Sequence, residues 1–145
     1  MFIAVGLDSI EIDLVKKFCA TGHLPFINKV IHSGLFQELV SNTEVSSGST
    51  WATLNTGLNP GKHGFTFSHR QFKSGTYDVL KMDAGTNNPK YFWEYLPSHL
   101  QKAVLDLPYT KLCKSQNLTH LVSWGVESKN HISSSQPAEL IEQIH

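Results

Sequence analysis

The hydrophobic pattern changes its period several times along the chain. Phe2 to Leu7 is an apolar run that stops at Asp8, which predicts a buried parallel strand. Ile10, Leu14, Val15, Phe18 and Cys19 then recur at helical spacing and predict a helix over Ile10 to Ala20, stopped by Gly22. Leu24 to Ser33 predicts a second helix, with Pro25 in its first turn and Gly34 just past its end. Leu35 to Val40 predicts a second strand.

Further along, hydroxyl-rich Ser46-Ser47-Gly48-Ser49 opens a short helix that packs Trp51 and Leu54 inward and closes at Gly57. Asn59-Pro60-Gly61 predicts a turn. Phe65 to Gly75 reads as loop or edge structure, Tyr77 to Met82 as a strand, and Pro89 to Leu96 as an aromatic helix. Ala103 to Leu107 and Leu121 to Trp124 predict two more strands. Ser133 to Pro137 caps a final helix, Ala138 to Ile144, which meets the terminus without a stop signal, as expected of a cut chain. Strands alternating with helices predict an α/β fold with a mostly parallel sheet flanked by helices. Functional residues in such sheets gather at the carboxyl edges of strands. Asp8 and the Ser46–Ser49 segment both follow predicted strands.

Size and charge narrow the picture. The chain has 145 residues, 12 basic and 12 acidic, for a formal net charge of zero. One domain, or part of one, is expected. Neutrality gives no electrostatic reason to expect a nucleic acid polymer or a membrane surface as partner. The two cysteines, Cys19 and Cys113, have no metal-binding or redox spacing and read as reduced, buried thiols. No signal-peptide pattern opens the chain, so a cytoplasmic address is expected.

Two residues invite chemistry. Asp8 directly follows a predicted strand, where a carboxylate serves as a metal ligand or caps the next helix. Ser47 opens a helix whose first-turn N–H groups favour an anion, and Gly48 lets a ligand approach the backbone. Ser47 is there as a nucleophile or as a cap. Gly57-Leu58-Asn59-Pro60-Gly61-Lys62-His63-Gly64 is not a phosphate-binding P-loop: its glycines are too close, His63 follows Lys62, and Pro60 lacks an N–H. There is no HExxH, EF-hand or GxSxG pattern.

Val5-Gly6-Leu7-Asp8, Gly22-His23-Leu24-Pro25, Ser47 with Trp51, and Thr56 to Gly64 occur in an order that resembles the type I phosphodiesterase/nucleotide pyrophosphatase branch of the alkaline phosphatase superfamily. Looser matches follow at Gly75-Thr76-Tyr77, Phe92-Trp93-Glu94, Leu105-Asp106-Leu107-Pro108 and Ser123-Trp124-Gly125. The resemblance implies an alkaline-phosphatase-like fold, here incomplete, with residues 1–145 as the N-terminal portion of one catalytic domain. It implies hydrolysis of small phosphate esters with two divalent ions, usually zinc, with manganese as an alternative. Asp8 matches a metal-ligand aspartate. Ser47 matches the nucleophile, which also contacts metal and forms a phosphoryl-enzyme. The branch carries an Asn after its His-Gly pair; Phe65 to Arg70 has none, so Gly48, Ser68 and Arg70 are the expected substrate contacts.

The family's remaining ligands lie beyond the matched region. One carboxylate and one hydroxyl fall short of a zinc shell. The expectation is therefore a nucleophile-bearing piece of an enzyme, inactive alone and holding no metal stably. The competing expectation is a non-catalytic binding or assembly module that keeps half the fold and self-associates through its incomplete sheet.

Overall fold

The computed structural model describes residues 1–41, 47–65, 70–81, 89–125 and 133–144. The chain divides into two compact units, Met1–Ser41 and Asn42–His145.

The first unit contains α1 (Ile12–Ala20) and α2 (Pro25–Ser33). Helix α1 starts two residues later than its apolar periodicity predicts, because Glu11 caps it. The Glu11 carboxylate accepts from the N–H of Asp13 at 3.0 Å and of Leu14 at 2.7 Å. Gly22, at φ 78°, turns the chain out of α1. Lys16 binds Glu38 through an ion pair that ties the tail of the unit back to α1. Cys19 is the one buried residue of the unit.

The two predicted strands of this unit are corrected. Neither 2–7 nor 35–40 is a strand. Phe2 is 88% exposed, Leu35 92% and Val40 100%. An apolar run becomes a parallel strand only when neighbouring strands satisfy its backbone N–H and C=O groups. The secondary structure of residues 1–41 is two helices, which offer no such ladder.

The second unit begins with α3 (Ser47–Thr56) and α4 (Pro60–His63). An antiparallel hairpin, β1 (Arg70–Phe72) with β2 (Val79–Lys81), follows. Its turn is closed by Lys73 N–H to Asp78 O at 2.8 Å, and Gly75 takes φ 77° there. Strands β3 (Lys102–Leu105), β4 (Leu118–Val122) and β5 (Ser134–Gln136) form a three-stranded sheet in the order β3-β4-β5. Helix α5 (Glu139–Ile144) closes the described chain.

The unit is α/β as predicted, but its sheet is mixed rather than mostly parallel. β3 and β4 are parallel, whereas β5 returns antiparallel to β4. The residues predicted to cap the last helix form β5. An edge strand leaves one side to water, so the polar Ser-Ser-Gln run is tolerated there. Ser135 still serves the helix, its hydroxyl accepting the Ile141 N–H at 2.9 Å. The parallel crossover between β3 and β4 is an irregular loop, where a helix is usual.

Tyr91, Trp93, Val104 and Leu118 form the core, with Leu107 and Cys113 packed against it. The predicted aromatic helix is a single 3-10 turn, Phe92–Glu94. The turn lets Tyr91 and Trp93 stack at 4.7 Å with both rings buried, a pairing that i and i+2 on an α-helix do not allow.

Candidate active site

Asp8 is exposed, and its Oδ1 accepts the Ser9 N–H at 2.8 Å. Since Glu11 caps α1, the capping explanation for Asp8 falls away. Ser47 is the first residue of α3 and is exposed. Gly48 follows and is buried. Arg70 opens β1, its backbone paired with Lys81. Ser68 lies outside the described residues. Ser47 and Gly48 are thus together on one helical turn; Asp8 belongs to the other unit.

The segment after Ser47 shows why α3 is held where it is. Ser49 donates to Phe65 O at 2.8 Å. Asn55 Nδ2 donates to Pro108 O at 2.9 Å. Gly57, at φ 68°, ends the helix. The Asn59 side chain caps α4 through the Lys62 N–H at 3.1 Å, with Pro60 in the first turn. His63 is 1% exposed and bridges both sides. Its Nδ1 accepts the Phe65 N–H at 3.0 Å, so Nε2 carries the proton and faces Thr53 Oγ1 at 2.9 Å. Burial pushes the His63 pKa below the ordinary histidine value. The stretch Thr56 to Gly64, the most distinctive in the sequence, is therefore a structural lock behind α3.

The carboxyl edge of the parallel pair borders the other side. Asp106 follows β3, and its two oxygens accept the N–H groups of Trp124 and Gly125, each at 2.8 Å. Both oxygens are committed to clamping the loop after β4. Three non-glycine residues at this edge take left-handed backbone: Asp106 at φ 52°, Tyr109 at 58° and Ser123 at 58°. Such outliers are sustained only where the surroundings over-determine them.

Tyr109 is the residue that sequence reasoning missed. A Cβ built on Gly48 would lie 2.8 Å from Tyr109 Cζ, 2.9 Å from Cε1 and 3.1 Å from the phenol oxygen. The ring fills the space a side chain at 48 would take. Phe65 meets it edge to face at 5.6 Å. Nothing in the Leu107-Pro108-Tyr109 sequence signals a contact with a helix so far back in the chain.

Among the described residues, no group of three or more His, Cys, Asp or Glu side chains converges. An exposed carboxylate and an exposed hydroxyl do not make the three or four donors a zinc centre needs. These residues do not fit a metal site by themselves. A groove of about 260 Å³ lined by Pro89, Tyr91, Glu94, Lys111 and Cys113 contains none of the predicted site residues. None of the described helices is long and apolar enough to cross a membrane.

A family model described as type I phosphodiesterase / nucleotide pyrophosphatase matches residues 2–105. No curated protein matches the chain, and no solved structure does.

Proposed function

Because the chain belongs to the type I phosphodiesterase/nucleotide pyrophosphatase family, we propose that it is the N-terminal portion of one phosphohydrolase domain and supplies its nucleophile. Ser47 is that nucleophile. Its oxygen forms the new bond to phosphorus while the bond to the leaving alcohol or phosphate breaks, giving a phosphoseryl intermediate that water later hydrolyses. The substrate is a small phosphate ester or pyrophosphate. The positive end of the α3 dipole favours the phosphoryl oxygens. Asp8 contributes one ligand to a divalent cation, zinc or manganese, whose other donors are not among the described residues. On this reading those donors lie in the rest of the domain, and the chain is inactive on its own.

The observation that carries this reading is the position of Ser47: an exposed hydroxyl at the head of a helix whose rear is fixed by His63, Asn55 and Ser49. Bis(p-nitrophenyl) phosphate with zinc or manganese tests it. The 145-residue chain is expected to release no p-nitrophenol. The chain extended by its downstream coding sequence, if that supplies an Asp-His pair and a later His, is expected to turn over. Ser47→Ala should then lower the rate at least a thousandfold, of the order seen when a nucleophile is removed. Undiminished hydrolysis by that variant would place the nucleophile elsewhere.

A second reading has its own support. Phe2, Leu35, Leu39 and Val40 are each more than four-fifths exposed, and apolar surface of this kind favours association. On this reading the chain is an assembly module that self-associates through these segments. A concentration-independent monomer in sedimentation equilibrium removes it.

A further inference from the structure

We propose that Tyr109 is a positioning residue for Ser47, a role that rests on the reading of Ser47 as nucleophile. Ser47 stands at the very start of α3, where a helix frays most readily. Its hydroxyl direction depends on the backbone of residues 47 and 48. Gly48 brings no side chain to brace that turn, yet it is buried, because the Tyr109 ring occupies the missing volume at 2.8–3.1 Å from the Cβ position.

One contact holds the ring and two hydrogen bonds hold the loop that carries it. Phe65 packs edge to face against it. Asn55, further along α3, ties Pro108 to the same helix. Thr110 Oγ1 closes the turn by donating to Leu107 O at 2.7 Å. Tyrosine seldom adopts φ 58°, so the loop holds a strained backbone at the residue whose ring reaches Gly48. Glycine at 48 and an aromatic at 109 are thus one device. An alanine at 48 would place its methyl within 3.0 Å of ring carbons and force the ring away.

The test is the Ser47 χ1 angle, read from Hα–Hβ couplings by NMR on the 145-residue chain. Wild type and Tyr109→Phe are expected to show one rotamer, because the ring does the bracing. Tyr109→Ala and Gly48→Ala are each expected to lose it and give averaged couplings. Combining Gly48→Ala with Tyr109→Ala should add little to Tyr109→Ala alone, since the clash partner is gone. The Gly57 amide shift reports whether the lock behind α3 survives.

A single Ser47 rotamer retained in Tyr109→Ala overturns the proposal, and so does averaging already present in wild type. Averaging in Tyr109→Ala together with large shifts at Gly57 would mean the whole helix has moved, and overturns it too. The nucleophile reading fails by a different result, hydrolysis that survives Ser47→Ala, so the two are separable.

Discussion

The segment Ser47–Phe65 and the segment Met1–Ser41 are both rich in family-like sequence, yet the first closes on itself and the second does not. Between Ser47 and Phe65, Ser49, Thr53, Asn55, Asn59 and His63 each have a hydrogen-bond partner through a side chain. Within Met1–Ser41 only Cys19 is buried. The difference lies in the range of the interactions. A lock made of caps, turns and a buried histidine draws its partners from nearby sequence and one packed loop. A parallel strand draws its ladder hydrogen bonds from other strands, which lie far away in the chain. Patterning specifies that such a strand is apolar, not that a ladder is present to receive it.

The largest expected effect breaks the core of the unit that contains the closed segment. Trp93 is 1% exposed, stacks on Tyr91, and donates its indole N–H to Cys113 Sγ at 3.3 Å. Trp93→Ala removes the centre of the core and should cost about 3–5 kcal/mol. Urea titration followed by far-UV circular dichroism measures it. A loss under about 1 kcal/mol would mean that Tyr91, Val104 and Leu118 do not form a cooperative core.

The same contrast sets what was legible in the sequence. Helices α1, α2 and α3 were predicted within a few residues, because their periodicity and their Gly and Pro punctuation are local. β3 and β4 were found from compact apolar runs. The serines of β5 carry the composition of a helix cap, and only the edge of a sheet makes them a strand. At the candidate site, the place of Ser47 at the head of α3 is legible from the hydroxyl-rich helix start, whereas its reading as a nucleophile comes from the family resemblance. His63 is visible in the sequence only as one residue of the family-like stretch Thr56 to Gly64, and its bridging role depends on α3 lying beside α4. Tyr109 was not legible at all: its reach to Gly48 follows from the path of the loop after β3 and a left-handed backbone that no motif announces.

Acid should weaken the same unit next. His120 on β4 is fully buried, and burial pushes its pKa down from 6.5 to about 4. Its Nδ1 accepts the Cys113 N–H at 3.3 Å, and the remaining ring nitrogen has no partner among the described residues. In the unfolded chain the imidazole takes up a proton near 6.5, so between 6.5 and 4 the unfolded state binds more protons than the native one. Stability therefore falls as pH falls through that window and flattens below about 4. The full loss from His120 is roughly 3 kcal/mol, and His63 acts in the same direction. Denaturation midpoints from pH 7.5 to 4.5 measure the slope. A native His120 ring resonance that titrates near 6.5 would remove the cause assigned to it.

The smallest effect belongs to the open region, and its smallness is the informative part. Leu35 is 92% exposed in a segment without secondary structure. Leu35→Lys removes no packing and strands no hydrogen bond, so stability should change by less than about 0.5 kcal/mol. A buried strand residue would behave differently: placing an unpaired ammonium in a core costs several kcal/mol. A large destabilisation on Leu35→Lys would therefore mean that residues 35–40 are covered in solution. If it depends on protein concentration, the cover is a second copy, as the assembly reading requires; if it does not, the cover comes from the same chain.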